Sequence, residues 1–253
     1  MRSPARLALT LAAAASSATV AAAPAVSPNI TAALASPDRP AADTARDAAR
    51  KPGDVIQFSG MKPGWVVADY IPGTGYYDRV FAAVVGPKGH VYGFYPTELK
   101  TIAKVPLPPD GATPDAKFPA FTALVEPAND FAAPKPLDLV WISDNYHDLH
   151  DPFFAPADLG KINAAVFKAL KPGGVYLIID HRAEPGSDLR DTNTLHRIDE
   201  AAVKREVEAA GFKLVAESEV LANPADNHTL RIFDPAVRAH TDQFVLKFQK
   251  PKA

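Results

Sequence analysis

The sequence predicts a single α/β domain built on a doubly wound, mostly parallel sheet. Short apolar runs bounded by Pro and Gly alternate with helical patterns from about residue 60 onward, which is typical of a parallel sheet with helices on both faces. The first run, residues 65–69, is continuous rather than alternating, as expected of a strand buried on both faces. A chain of 253 residues, 47% of them hydrophobic, is long enough for one substantial core.

The elements follow from this alternation in chain order. Strands are predicted at residues 65–69, 90–95, 121–125, 137–142, 175–180, 212–219 and 243–249. Helices are predicted at residues 41–51, 77–85, 158–170 and 199–210, each followed within two residues by Gly or Pro, which commonly end helices. Residues 97–120 are rich in Pro and predict a weak helix followed by a surface loop.

The N-terminus predicts export. Arg2 and Arg6 precede an apolar run, and Ala21, Ala22 and Ala23 follow it, so residues 1–23 have the pattern of a secretory signal peptide. Residues 24–40 are rich in Ala, Ser and Pro and predict a flexible linker, which leaves 41–253 as the domain. We therefore expect a periplasmic or secreted protein with no membrane span once the signal is removed.

The charge balance and the absence of cysteine narrow the function classes. Lys and Arg number 27 against 29 Asp and Glu. The chain therefore has no excess positive charge that would favour binding of nucleic acid, and a small-molecule substrate is expected. Because the sequence contains no cysteine, disulfides, thiolate metal sites and a cysteine nucleophile are excluded. The sequence does not predict the oligomeric state.

The strongest candidate site is the turn that follows the first strand. Asp69 ends that strand, and Gly73 and Gly75 open the next helix. Glycine removes Cβ where a ligand would approach the backbone, and the helix start offers unpaired N–H groups. The alternative is a tight strand-to-helix turn that needs glycine for structural reasons alone.

These motifs resemble those of the class I S-adenosylmethionine-dependent methyltransferases. Residues 69–75 are similar to that family's first motif, residues 170–174 (Leu-Lys-Pro-Gly-Gly) to its turn before strand five, and residues 144–149 to its fourth motif. The leader and the Tyr-His-Asp-Leu segment resemble a secreted bacterial group of predicted methyltransferases. The resemblance implies a seven-stranded, Rossmann-like sheet with an antiparallel last strand, and S-adenosyl-L-methionine as cofactor.

The resemblance also implies where the cofactor would bind. Gly73, Thr74 and Gly75 would lie beneath its methionyl and ribose parts, and Asp69 would orient its amino group. Asp130 would contact the adenine amine and Phe131 would cover the adenine face. Asp144 and Tyr95 complete the implied set, at the sulfonium and at the ribose respectively. No resident metal is expected.

Two positions depart from the family pattern. Ile71 stands where the family has its first glycine, and because a β-branched residue is strained at positive φ, we expect an extended backbone there. Tyr95 replaces the acid that holds the ribose diol. Losing that charge-assisted bond would weaken cofactor binding by about 10- to 150-fold, unless Tyr95 itself or Glu98 compensates.

The motif residues leave two other functions open. A dinucleotide oxidoreductase would need a third glycine where Asp78 stands, which disfavours it. A non-catalytic binding protein, in which the altered nucleoside pocket takes another ligand, is favoured by Ile71 and Tyr95 and opposed by the intact Gly73-Thr74-Gly75 turn.

Polar residues after strands four and five are the candidate catalytic groups. His147 is the first candidate for a general base, Tyr146 the second and His181 the third, each with an ordinary structural role as the alternative. The two His and two Asp of residues 147–151 form an alternative divalent-metal pattern. Polar residues of two long loops are candidates for acceptor selection, namely Arg197, Asn223 and His228.

Overall fold

A computed structural model describes residues 25–102, 107–155 and 157–252, and within these ranges seven strands form one sheet. The strands are β1 (Val66–Tyr70), β2 (His90–Phe94), β3 (Phe121–Leu124), β4 (Leu137–Ser143), β5 (Leu170–His181), β6 (Lys213–Ser218) and β7 (Gln243–Gln249). Their order across the sheet is β3-β2-β1-β4-β5-β7-β6, and β7 runs antiparallel to β5 and β6. The predicted doubly wound sheet with an antiparallel last strand is confirmed.

Helices cover both faces of the sheet. They are α1 (Pro28–Leu34), α2 (Ala41–Thr44), α3 (Asp47–Arg50), α4 (Pro52–Ser59), α5 (Tyr76–Val85), α6 (Leu99–Ile102), α7 (Leu159–Ala169), α8 (Thr192–Leu195) and α9 (Glu200–Ala209). One buried apolar cluster joins the sheet to α1, α4 and α5, and a second joins it to α7 and α9. The sheet is therefore buried on both sides, as the continuous apolar strands predict.

Two of the helices are capped at their start by an aspartate. The Asp158 carboxylate accepts the Lys161 amide at 3.2 Å at the start of α7, and the Asp199 carboxylate accepts the Ala201 amide at 2.9 Å before α9. Each bond satisfies one of the amide groups that a helix start leaves unpaired. Local sequence thus decides where these helices begin.

The N-terminal region differs from the prediction. Within the expected flexible linker, α1 packs Ile30 and Ala33 into the core, because its short apolar face meets α4 and α5. The expected helix at residues 41–51 is instead two short helices, and Lys51 adopts a left-handed conformation with φ 41°. Pro52 then begins α4 rather than ending a helix, since proline fits the first helical position.

The predicted signal peptide lies outside the described residues, as do residues 103–106 of the predicted surface loop. Across the described ranges, none of the helices has the length and apolar character needed to cross a bilayer.

Candidate functional site

A cleft of about 900 Å³ opens at the carboxyl ends of β1 and β2. Its floor is the turn that contains Gly73 and Gly75, and Tyr95 forms part of its wall. The opposite side is apolar, with contributions from residues 107–109, Phe153 and Phe154. Ligands of doubly wound sheets bind at this edge, where strand order reverses.

The glycine turn has the backbone that a ligand site requires. Gly73 and Gly75 have φ values of 58° and 78°, in the left-handed region that favours glycine. A Cβ added to Gly73 would meet no atom within 4 Å, whereas one on Gly75 would lie 3.0 Å from Nη1 of Arg79. Gly73 therefore faces open space in the cleft, and Gly75 makes room for the Arg79 guanidinium.

Ile71 does not have the extended backbone expected from its branched side chain. Its φ is 65°, its side chain is buried in the core, and its amide donates to the Phe94 carbonyl at 2.9 Å. Tertiary contacts thus outweigh the local preference of a β-branched residue. The turn therefore keeps the left-handed geometry at position 71.

Asp69 is the fourth residue of the five-residue strand β1, and its side chain is buried. Burial raises the pKa of its carboxyl to about 8, and the nearby Arg50 acts in the opposite direction. A smaller cavity of about 190 Å³ joins Asp69 to the glycine turn and to Arg46 and Arg50 of the N-terminal helices. Two acids, Asp69 and Asp144, and two arginines thus face one small space.

No sequence pattern singles out Arg46 and Arg50, because their approach to β1 depends on how α2 and α3 fold back. Nη2 of Arg50 lies 3.0 Å from the Asp144 carboxylate, and the guanidinium carbon lies 5.1 Å from the centre of the Tyr76 ring. Gln243 donates to the other Asp144 oxygen at 2.6 Å. Asp144 is therefore held on both sides at the mouth of the cavity.

The residues implied for the nucleoside are only partly brought together. Tyr95 lines the main cleft, but Asp130 is exposed and does not line that cleft, and Phe131 packs in the core against Tyr70 and Phe94. The implied adenine contacts of Asp130 and Phe131 are therefore not supported. The Glu98 carboxylate accepts the Ala128 amide at 3.1 Å and does not compensate for the replaced acid.

His147 is held by a buried carboxylate at the end of β5. Its Nδ1 lies 2.7 Å from Asp180 Oδ1, and its own amide donates to Asp180 Oδ2 at 2.8 Å. Although burial lowers the pKa of the imidazole, Asp180 and Asp148 raise it well above its usual value. His147 borders a third cavity of about 550 Å³, together with His181 and Asp144.

The other two candidate bases differ in position. Tyr146 is fully buried away from the cavities, donates its hydroxyl to Glu206 at 3.0 Å and accepts from Asn163 at 2.9 Å, so its suggested role as a base is not supported. His181 borders the third cavity, with Nδ1 2.8 Å from the Thr241 hydroxyl. Burial lowers the pKa of His181.

The residues suggested for acceptor selection instead tie the loops together. Arg197 is fully buried and forms an ion pair with Asp226 at 2.9 Å. Asn223 donates to the His240 carbonyl, and His228 Nε2 lies 2.9 Å from Asp242. These bonds hold the insertion between β6 and β7 against the sheet, so they do not support contacts between these residues and an acceptor.

No protein-family model matches the chain. Curated relatives are ubiquinone/menaquinone biosynthesis C-methyltransferases named UbiE, one from Vibrio cholerae with 27% identity over 199 residues and one from Marinomonas with 25% identity over 194 residues. Each alignment covers 76% of this chain. The chain spans 64% of the length of the Vibrio cholerae relative.

Solved structures share the architecture at low sequence identity. The [4+2]-cyclase SpnF superposes with a TM-score of 0.55 and 14% identity, covering 81% of this chain and 82% of that one. A methyltransferase from Aquifex aeolicus has a TM-score of 0.52 and 18% identity, covering 81% and 98%. A Burkholderia thailandensis N1-methyltransferase has a TM-score of 0.51 and 17% identity, covering 84% and 82%. The chain therefore has the fold of the class I S-adenosylmethionine-dependent methyltransferases.

Proposed function

We propose that the protein is an S-adenosylmethionine-dependent methyltransferase acting on a small-molecule acceptor. The observation that carries this proposal is the left-handed turn at Gly73 and Gly75, which leaves β1 beside the buried Asp69 and opens into the main cleft. The distant relatives are C-methyltransferases, and one structural neighbour was solved with S-adenosylhomocysteine. Both agree with a nucleoside in this cleft.

The charges around the smaller cavity suit the amino-acid end of the cofactor. Arg46 and Arg50 would attract its carboxylate, and Asp69 would accept from its ammonium group. Arg50 already balances Asp144, so a second carboxylate would be shared rather than newly neutralised. The ribose would then lie toward Tyr95, whose hydroxyl is a neutral substitute for the family's acid.

The acceptor would enter through the third cavity. Asn145 borders all three cavities, and Asp148 borders both the main cleft and the third cavity, so cofactor and acceptor would meet beside these residues. Methyl transfer needs alignment and exclusion of water, and a base only where the acceptor carries a proton. His147, oriented by Asp180, would take that proton only when its own ring is neutral, and its raised pKa shifts that state to higher pH.

Tyr95 favours a second candidate function, a binding protein without catalysis. Because Tyr95 lacks the carboxylate that would bind a ribose diol, the cleft would bind the cofactor weakly and a less polar ligand better. The two functions differ in one measurable property, which is binding of the cofactor and its product.

Calorimetry of the protein with S-adenosylmethionine and with S-adenosylhomocysteine tests the proposal. We expect saturable binding that Gly73→Val weakens at least about 100-fold, because the new side chain would fill the cleft floor. Gly64→Val is the matched control, since Gly64 also has a positive φ of 83° and open space but lines none of these three cavities.

Absence of heat at about 1 mM of either ligand would exclude the enzyme. If Gly73→Val and Gly64→Val lost cofactor binding equally, backbone strain would explain the loss, and the result would no longer support a site at Gly73. If binding is seen, transfer of a labelled methyl group to panels of hydroxyl, amine and aromatic acceptors would identify the substrate class.

We also propose that the protein is exported, since residues 1–23 have the signal pattern described above. Mass spectrometry of the protein recovered from the periplasm or medium should show an N-terminus close to residue 24. An intact Met1 on protein confined to the cytoplasm would contradict export.

A further inference from the structure

Three side chains beside the third cavity converge on one point. His147 Nε2 lies 3.1 Å from Asp148 Oδ1 and 3.3 Å from His196 Nδ1, and His196 Nδ1 lies 3.3 Å from Asp148 Oδ1. Each residue thus offers one atom of a kind that binds metal ions. They form a nearly equilateral triangle, which we call the His-Asp-His triangle.

The size of this triangle matches one face of a tetrahedral metal site. Bonds of about 2.0–2.1 Å from a zinc-like ion to nitrogen or oxygen place neighbouring ligands about 3.3–3.4 Å apart. We propose that the His-Asp-His triangle binds a divalent cation of the zinc type, with its fourth position open to the cavity. Two imidazoles in the ligand set favour such a cation over Mg²⁺ or Ca²⁺.

The surroundings of His147 are those of a metal ligand. Its second nitrogen, Nδ1, lies 2.7 Å from Asp180, whose side chain is fully buried. A carboxylate on the far nitrogen fixes the ring orientation and the tautomer that leaves Nε2 free for a cation. Asp180 also accepts the amides of His147 and His181, so it cannot turn away.

The three ligands come from two separate parts of the chain. His147 and Asp148 lie in a 3₁₀ turn after β4, whereas His196 follows α8. His196 is held in a left-handed conformation with φ 54°, a strained backbone that directs its ring toward the other two. The nearby His150 is not a member, because its Nε2 lies 3.1 Å from Glu206.

One contact must change when the cation binds. Arg231 Nη2 lies 2.9 Å from His196 Nε2, and because a guanidinium only donates, Nε2 is the acceptor and a neutral His196 carries its proton on Nδ1. Coordination through Nδ1 moves that proton to Nε2. The exposed Arg231 side chain then has to move away from His196, so Arg231→Ala should not weaken binding of the cation.

The bound cation would face both the acceptor and the cofactor. Asp148 and His196 border the main cleft as well as the third cavity, so the open position would accept an oxygen or nitrogen of the acceptor. The cation would occupy Nε2 of His147, the nitrogen that a general base would use. Its positive charge would then stabilise the deprotonated acceptor in place of a base. The binding itself does not depend on methyl transfer.

Titration of the tag-free, chelator-treated protein with Zn²⁺ and Co²⁺ tests the site. We expect one equivalent of Zn²⁺ to bind by calorimetry, and Co²⁺ to give visible absorption that Zn²⁺ removes. Asp148→Ala and His196→Asn should each weaken binding more than 10-fold, and Asp180→Asn by about 10- to 100-fold.

His228→Asn is the matched control for His196→Asn. Both histidines are left-handed, and both rings lie near a carboxylate, while asparagine tolerates that backbone. His228→Asn should bind Zn²⁺ like the wild type. Absence of saturable binding at about 1 mM Zn²⁺, or equal binding by wild type, Asp148→Ala and His196→Asn with unchanged melting temperatures, would overturn the proposal. Calorimetry of the metal-free protein with S-adenosylhomocysteine reports separately on the proposed transferase.

Discussion

Two buried acids, Asp69 of β1 and Asp78 of α5, show how the candidate site departs from a stable core. Asp69 and Asp78 lie beside each other, and burial together with the charge of Asp69 raises the pKa of Asp78 well above its usual range. Asp69 also faces a small cavity with two arginines. Residues kept in such unfavourable surroundings are often functional.

Asp69→Asn should stabilise the protein while weakening cofactor binding. The pKa of Asp69 is raised from 3.8 to about 8, so the contribution of this carboxyl to stability is complete below about pH 3.8 and declines as pH rises through about 8. We expect the variant to gain about 1–3 kcal/mol of unfolding free energy at pH 8, and the gain to vanish near pH 4. Urea unfolding at both pH values measures it.

The exposed Asp54→Asn serves as the control, because Asp54 lies on the surface of α4 and should change stability little at either pH. Asp69→Asn should also bind S-adenosylhomocysteine more weakly than wild type. A variant less stable than wild type at pH 8 would contradict the assignment of Asp69 as an uncompensated buried acid.

Among the elements, the short N-terminal helices complete the site. Asp47 of α3 accepts from Arg39 at 2.7 Å and from the Tyr76 hydroxyl at 2.7 Å, and Asp43 of α2 accepts from Arg79 of α5 at 2.7 Å. These bonds fasten α2 and α3 over the start of α5. They thereby place Arg46 and Arg50 at the smaller cavity.

Packing of α1 against α4 and α5 should also contribute to stability. Ile30→Ala removes a fully buried side chain that contacts the core around α4 and α5, and we expect a loss of about 2–4 kcal/mol. Denaturant unfolding measures it, with the exposed Ala32→Ser on the same helix as the control. Equal stability of the two variants would show that residues 28–34 behave as the linker that their composition suggests.

For the molecule as a whole, the cavities join segments that are distant in sequence. The main cleft has walls from the glycine turn, residues 107–115 and Phe233, and the smaller cavity adds α3. A ligand in these cavities would therefore restrain several surface segments at once, whereas the paired strands of the sheet are already hydrogen-bonded to their neighbours.

Hydrogen exchange with and without S-adenosylhomocysteine should show this pattern. We expect slower exchange at residues 71–79 and 107–115 when the ligand is bound, and little change along β5 and β7, because only weakly held segments gain protection from local contacts. Protection confined to the β6–β7 insertion would place the ligand elsewhere.

Local sequence determined much of this protein. Continuous apolar runs specify the buried parallel strands, Asp158 and Asp199 begin their helices, and the glycine turn after β1 predicts the ligand edge of the sheet. Each of these features depends on neighbours a few residues away or on a residue's own backbone preference. The fold and the position of the main cleft could therefore be predicted.

Tertiary structure alone decided which side chains meet at the cavities. Ile71 accepts a left-handed backbone because the core holds it, Tyr146 and Phe131 turn inward, and Arg50 and His196 approach from remote segments. No local preference encodes these approaches, because each results from packing between elements far apart along the chain.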